Sequence, residues 1–352
     1  MVKAAVLTEP GRIDIADWPE PVCGPRDVIV EMGGVGLCGS DLAVFHGRRL
    51  PPRTPWIMGH EGFGRVAAVG GEIRDRAVGQ SVVIEPNYAC LRCADCLTGL
   101  TSACPHRAVV GLNTPGVLAE RVALPAHFAH PVPDGPTGAD LASTEPYTVA
   151  RAAVRRSGVT AADRCLVVGA GAQGLLVSLI LLRLGTRPVV TEPHPLRLAR
   201  AEQLGATRDD GRTGFTYVFE TSGHAPALHQ AVHRTAPGAT VVLIGLTPDR
   251  LPVTTEDVVR RQLVIRGSMI YDHPSDFTAA IAELPVARPG AVIEARFPLH
   301  ESQKAFAGAA TRAGKTWISI HDTDTDTGTA AADGSVQGPD GSGSAAAGSR
   351  HA

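Results

Sequence analysis

Cys38 in the stretch Cys38-Gly39-Ser40-Asp41, His60 in Gly59-His60-Glu61-Gly62 and Glu145 in Glu145-Pro146 offer a thiolate, an imidazole and carboxylates. That donor set suits a catalytic zinc whose fourth position stays open for substrate. A second set is more compact. Cys90-x-x-Cys93-x-x-Cys96-x₇-Cys104 carries four thiolates on one short loop, enough to close a tetrahedral zinc with no room for substrate. The rival for these four is an iron–sulfur cluster, since Pro105 follows Cys104 as in the bacterial C-x₂-C-x₂-C-x₃-C-P run, but the gap of seven before Cys104 argues against it. Cys23 and Cys165 have no metal-ligand partners in either pattern and are read as packing residues.

A third constellation is Gly169-Ala170-Gly171-Ala172-Gln173-Gly174, between the apolar strand-like run 165–168 and an apolar helix over 175–184. In that setting the glycines allow a tight turn, bring backbone against a pyrophosphate and leave a helix amino terminus facing the negative charge. The next strand ends in Thr191-Glu192. A carboxylate there accepts hydrogen bonds from the adenosine ribose and repels a 2′-phosphate, so NAD is expected over NADP. Arg187, Arg197 and Arg208 lie near enough in sequence to soften that preference, and Arg197 joins Gly169, Gly171, Gln173, Gly174, Glu192, Gly245 and Ser268 as candidates for cofactor contact.

The elements that must position these residues change texture along the chain. Residues 1–30 alternate apolar and polar positions between Gly and Pro, as short antiparallel strands do, and strand-like runs follow at 64–69, 81–84 and 120–124. After Leu141 helix-like and strand-like segments alternate, which implies a parallel sheet with strands near 165–168, 188–191, 217–219, 240–244 and 263–266. Residues 285–320 return to the first texture, and residues 321–352, mostly Asp, Thr, Gly, Ser and Ala, are expected to be a disordered tail.

A chain of 352 residues with 44% hydrophobic and 19% charged residues is ordinary for a two-domain globular protein. A formal charge of -2 argues against nucleic acid and anionic membranes as partners. The longest apolar stretch, 175–182, is too short to span a bilayer. Four of the seven Cys crowd into 90–104, which reads as metal ligation in a reducing, cytoplasmic setting rather than as a disulfide framework.

With these motifs in view, the chain resembles the zinc-dependent medium-chain alcohol dehydrogenases, and among them the polyol, butanediol and threonine dehydrogenase branch, over roughly residues 1 to 320. The family carries Cys-Gly-Ser/Thr-Asp, Gly-His-Glu and, in this branch, Glu-Pro, matched here by Cys38 to Asp41, Gly59 to Glu61 and Glu145-Pro146. The resemblance implies an α/β fold with a GroES-like β-rich catalytic domain over 1–147, a Rossmann doubly wound parallel-sheet domain over 148–284, and a return to the first domain over 285–320. It implies two zinc ions per chain. Cys38, His60 and one or both of Glu61 and Glu145 would hold the catalytic ion, and Cys90, Cys93, Cys96 and Cys104 the structural one. Asp41 would fix the His60 tautomer, and Ser40 would carry the alcohol proton along a relay over the cofactor ribose, with His46 as a terminus.

The implied reaction is hydride transfer between a secondary alcohol and NAD. The Glu-Pro pair points to neighbouring hydroxyl or amino groups, as in a sugar, a cyclitol or an amino-cyclitol. A reductase of a simple ketone or aldehyde is the alternative within enzymes, and a non-catalytic zinc and nucleotide-binding protein the alternative outside them. Phe45, His46, Trp56, Asn87, Tyr147 and Met269 neighbour motif positions and are offered as pocket lining. Homodimers or homotetramers are expected, with 267–270 resembling the strand that relatives use for pairing.

One departure from the family is expected to shape the cofactor sheet. Between Leu204-Gly205-Ala206 and the strand near Tyr217 only residues 207–216 are available, and 208–212 are too polar for a buried strand. Crossing two strands takes about 10 Å and ten extended residues reach about 33 Å, so a plain loop suffices. The sheet is expected to be one edge strand short, with the adenine unusually exposed.

Overall fold

The computed structural model describes residues 1–321. The expected disordered tail, 321–352, lies outside the described residues except for His321.

The β-rich part is built on the strand Asp27–Gly36, whose burial alternates over Val28, Val30 and Met32 before becoming continuous to Gly36. It pairs antiparallel with Glu61–Val69 along its length, with Arg121–Pro125 over its first half and with Lys315–Ser319 over its last residues. The resulting seven-stranded sheet runs Ala129–Pro131, Ser81–Ile84, Glu61–Val69, Asp27–Gly36, Lys315–Ser319, Ile293–Pro298, with Arg121–Pro125 also on Asp27–Gly36. A smaller sheet orders Arg12–Trp18, Val2–Glu9 and Trp56–Ile57. Val6, Leu7, Val30, Met32, Met58, Ile84, Leu118 and Phe306 share the core between them. Lys315–Ser319 is buried at every position because strands flank it on both sides.

The second part is a six-stranded, wholly parallel sheet in the order Thr207–Arg208, Val189–Thr191, Cys165–Val168, Phe215–Glu220, Thr235–Leu243, Val264–Gly267. Cys165–Val168 is buried throughout, as the central strand of a sheet covered by helices on both faces must be. The helices Thr144–Ser157 and Ala172–Leu184 pack on one face around Ala150, Val154, Leu175 and Leu181, and Leu228, Ala231 and Val232 of the helix Ala225–His233 cover the other.

The expectation of a missing edge strand is corrected here. Thr207 and Arg208 pair with Val189 and Val190, so the edge position is filled by a two-residue strand. Polarity did not forbid it, because an edge strand is hydrogen-bonded on one side only and Arg208 stays exposed, paired with Glu202. No helix lies between residues 207 and 216; the chain passes through a loop directly into Phe215. Arg234 holds that loop. Its guanidinium binds both Asp209 carboxylate oxygens, the nearer at 2.5 Å, donates to Arg212 O, and lies 5.3 Å over the Phe215 ring.

Candidate active site

The register between Asp27–Gly36 and Glu61–Val69 sets Gly36 opposite Glu61, which brings Cys38 beside the Gly59-His60-Glu61 turn. Any side chain at Gly36 would collide with Glu61 Oε2, so glycine there allows the carboxylate to approach. Gly59 turns with φ +86°, a conformation an L side chain rarely adopts. Cys38 caps the helix Gly39–Phe45, and Asp41 at the third position of that helix is fully buried. Asp41 Oδ2 accepts from the Cys38 amide at 3.0 Å, while Oδ1 accepts from the Gly59 amide at 3.2 Å and lies 3.1 Å from His60 Nδ1. One carboxylate thus ties both motifs together. A proton held on Nδ1 by Asp41 leaves the Nε2 lone pair free for a metal.

One donor atom each of Cys38, His60 and Glu61 lies within 4.8 Å of the others. Burial opposes charge on His60, yet Asp41 beside it prevails and holds the imidazole well above its ordinary pKa. The Glu61 carboxylate is buried; Oε2 is ion-paired to Lys315 and Oε1 has no hydrogen-bond partner. A thiol, an imidazole anchored through Nδ1 and an unpartnered buried carboxylate oxygen are a fitting set for zinc. Glu145, in the first turn of the helix Thr144–Ser157, lies outside this trio but close to it. Burial raises its carboxyl to about 7, with the neighbouring Glu61 adding to the shift and the His60 and Lys315 charges opposing it. The Tyr271 hydroxyl, which accepts from Asn87 Nδ2 at 2.9 Å, also hydrogen-bonds Glu145.

Ser40 is half-buried in the helix that Cys38 caps, and His46, at the other end of that helix, is exposed with its ring 5.0 Å from that of Phe45. Of the residues offered as lining, Phe45 packs on Phe306, Trp56 donates to Gly111 O at 2.8 Å, and Tyr147 donates to Glu283 at 2.7 Å; all three are core. Asn87 reaches the site through Tyr271.

In the glycine loop, Gly169 has φ +94° and any side chain at Gly174 would run into Gly169 O, whereas a Cβ on Gly171 meets no atom within 4 Å. Gly171 caps the helix Ala172–Leu184, so the open space lies at a helix amino terminus, a cradle suited to a pyrophosphate. Glu192 closes the turn by accepting from the Ala170 and His194 amides at 2.8 and 2.9 Å. Gln173 Nε2 is turned to Pro146 O at 3.2 Å, linking this loop to the Glu145-Pro146 pair. Gly245, Ser268 and Met269 line a cavity of about 500 Å³ beyond the carboxyl ends of the later strands. Arg197, in contrast, is committed to Ala310 O and Arg312 O, at 2.6 and 3.2 Å.

The four-cysteine loop brings all four sulfurs within 4.8 Å of one another, with Cys90–Cys96 at 4.0 Å and Cys93–Cys104 at 3.9 Å. A tetrahedron with Zn–S of about 2.3 Å has edges of about 3.8 Å, so the spacing fits zinc and is too wide for disulfides. The Arg92 amide is the chief cause pulling Cys90 down to about 6, while burial and the neighbouring sulfurs push Cys96 up to about 12. Crowded thiols resist ionising together until a cation balances them.

Motif reasoning missed Lys315 and Tyr271. Lys315 is one of only three lysines and sits in the apolar run Lys315-Thr316-Trp317-Ile318, a signal that sequence offered. Nothing in sequence linked Tyr271 to Glu145.

Residues 24–134 match the family model described as alcohol dehydrogenase GroES-like domain, and residues 172–285 match that described as zinc-binding dehydrogenase. An L-threonine 3-dehydrogenase of Legionella pneumophila is 30% identical over 318 residues, covering 85% of this chain and 93% of that protein. Among solved structures, a zinc-binding dehydrogenase of Sinorhizobium meliloti bound to NADP is 26% identical with a TM-score of 0.84, covering 91% of this chain and 99% of its own. The galactitol-1-phosphate dehydrogenase of Escherichia coli is 25% identical with a TM-score of 0.83, covering 90% of this chain and all of its own.

Proposed function

This chain belongs to the zinc-dependent medium-chain alcohol dehydrogenase family, and as an NAD(P)-dependent member acting on CH–OH donors it oxidises, we propose, a secondary alcohol that carries a neighbouring hydroxyl or amino group. The observation that carries this reading is the convergence of Cys38, His60 and Glu61 beside Glu145. Threonine and galactitol 1-phosphate, for which two relatives are named, both carry secondary hydroxyls flanked by such groups, which supports the same class here.

In this reading Cys38, His60 and Glu61 hold the catalytic zinc, with Glu145 the carboxylate able to exchange with Glu61. Zinc bound there supplies a Lewis acid that lowers the pKa of the substrate hydroxyl. Asp41 fixes the His60 tautomer, Ser40 takes the hydroxyl proton, and His46 releases it to solvent. Cys90, Cys93, Cys96 and Cys104 hold a second, closed zinc. Glu192 favours NAD over NADP, since a carboxylate repels a 2′-phosphate, and Gly171 admits the pyrophosphate; Gly245 and Ser268 line the adjoining cavity.

The edge strand Val264–Gly267 leaves Val264 exposed, and Met269 just beyond it is exposed too, which supports homodimer formation along that edge. Among the described residues no helix is long and apolar enough to cross a membrane. A lobe of free thiols belongs in a reducing compartment, so we place the protein in the cytoplasm.

The test is a panel of polyols, sugars, amino-cyclitols, plain alcohols and ketones, with NAD and NADP, followed by nicotinamide absorbance on zinc-replete protein. Turnover of a vicinal diol or amino alcohol with NAD is expected. Turnover confined to simple ketones, or none at all on protein with full zinc, would reject the proposal.

A further inference from the structure

A second buried group of metal-ligating side chains, distinct from both sets above, joins the two parts of the molecule. Glu85 directly follows the strand Ser81–Ile84, and His130 lies in the neighbouring strand Ala129–Pro131. His273 comes from the segment that follows the last strand of the parallel sheet. Glu85 Oε2 meets His130 Nε2 at 2.6 Å and His273 Nδ1 at 2.7 Å, and one donor atom from each of the three residues lies within 4.8 Å of the others. Glu85 is fully buried and its other oxygen, Oε1, has no hydrogen-bond partner. The backbone is held tightly around the group: the Glu85 amide donates to Phe128 O at 2.9 Å and the His273 amide to Thr101 Oγ1 at 2.7 Å.

We propose that Glu85, His130 and His273 form a third metal site, for a borderline divalent cation such as Zn²⁺ or Co²⁺, that clamps the parallel-sheet part of the molecule to the β-rich part. Two imidazoles and one carboxylate are the donor set such cations prefer. Donor atoms at metal bonds of about 2.1 Å lie about 3.0 to 3.4 Å apart, so the two Glu85–imidazole contacts, at 2.6 and 2.7 Å, have to open by less than about 1 Å. Each ring must present a lone pair where it now presents N–H. For a neutral ring this is a tautomer shift, moving the proton to His130 Nδ1 or His273 Nε2 with no net proton change. Bidentate binding by Glu85 would also give Oε1 the partner it lacks.

Arg76, whose charge is felt at the neighbouring His127, is engaged with Ala129 O at 2.8 Å and with the Asp75 carboxylate at 2.8 Å, which balances it locally. Phe128, with its ring 4.9 Å from that of His273, and Phe277, with its ring 4.9 Å from that of His130, wall the site with apolar surface. His127, with its ring 6.2 Å from that of His273, is a further nitrogen donor nearby.

The test is equilibrium dialysis of the full-length protein against micromolar free Zn²⁺, with bound metal counted by mass spectrometry for wild type, His273→Gln and Glu85→Gln. Each variant is checked by circular dichroism and gel filtration. The expected result is one metal equivalent fewer in each folded variant than in wild type, whatever the wild-type total. In parallel, a Co²⁺ titration of wild type is expected to show an equivalent that adds visible d–d absorbance without thiolate charge transfer. Folded variants that bind as much metal as wild type overturn the proposal. Should both variants fail to fold, a wild-type Co²⁺ titration in which every bound equivalent brings thiolate charge transfer overturns it.

Discussion

Lys315 Nζ is ion-paired to Glu61 Oε2, with both side chains about 1% exposed. Lys315 Nζ also donates to Leu37 O at 2.8 Å, one residue before Cys38. Burial alone would lower the lysine pKa, but Glu61, with Cys38 and Asp41 adding to it, holds it above its ordinary value. Removing one partner of a buried ion pair costs about 3 to 5 kcal/mol, because the other charge is left alone. Lys315→Met should therefore destabilise the metal-free protein by that order, and zinc bound by Glu61 should recover part of the loss. Calorimetry in chelator and in excess zinc reads both numbers. An equal loss of Tm in the two conditions would show that Glu61 does not share its charge with the metal.

Asp209 and Arg234 give a pH signature to the loop that stands in for a helix. The hydrogen-bonded Arg234 guanidinium holds the Asp209 carboxyl below its ordinary pKa. A depressed folded-state pKa means that the contribution is present above the unfolded value, about 3.9, and is lost as pH falls through the folded value. The Tm difference between wild type and Asp209→Asn should therefore be constant near neutral pH and shrink as the pH is taken below about 4. Arg234→Lys should not restore the wild-type Tm, because an ammonium cannot bind both carboxylate oxygens and also cover Phe215.

Ser40→Ala is expected to lower turnover by roughly 10² to 10⁴ while zinc content and Tm hold, since a half-buried hydroxyl that only relays a proton contributes little to packing. Metal analysis beside steady-state kinetics checks it. A variant with wild-type turnover would remove Ser40 from the proton path.

Cys104→Ser should cost one zinc equivalent and lower Tm, because a closed four-sulfur zinc contributes folding free energy outright. Cys104 is the buried member of the four, and its sulfur also accepts from the Cys90 amide at 3.4 Å. Its effect on KM at temperatures well below the melt should be small. Loss of activity with the wild-type zinc content retained would contradict this assignment.

What could be read from sequence was what lies close together in sequence. The four cysteines, the Cys38 and His60 motifs and the glycine loop depend on short spacings, and local turns or helix caps set their geometry. Lys315, Tyr271 and the Glu85–His130–His273 group depend instead on sheet register and on how the segment after Gly267 crosses to the β-rich part. No local pattern encodes those contacts. Arg197 looked like a cofactor residue by position, but the return of the chain places the Ala310 and Arg312 carbonyls where its guanidinium reaches them. The Thr207–Arg208 strand was hidden for a different reason. Two polar residues at a sheet edge carry no apolar alternation, and only the ladder to Val189 and Val190 reveals them.

Gly171 and Gly174 lie in the same loop, yet a methyl group meets opposite fates there. At Gly171 it would project into space free of protein atoms to 4 Å, while at Gly174 it would strike Gly169 O and come within 2.9 Å of Thr221 Oγ1. Gly171→Ala should leave Tm unchanged without cofactor and raise the Kd for NAD by about tenfold or more, the equivalent of about 1.4 kcal/mol, because the methyl occupies the pyrophosphate cradle. Gly174→Ala should lower Tm in the absence of any ligand by an amount corresponding to about 1 to 3 kcal/mol, the usual cost of overpacking. Thermal melts with and without NAD, together with fluorescence titration of NADH, separate the two. Unaltered NADH binding in Gly171→Ala would mean that the dinucleotide does not cross this loop.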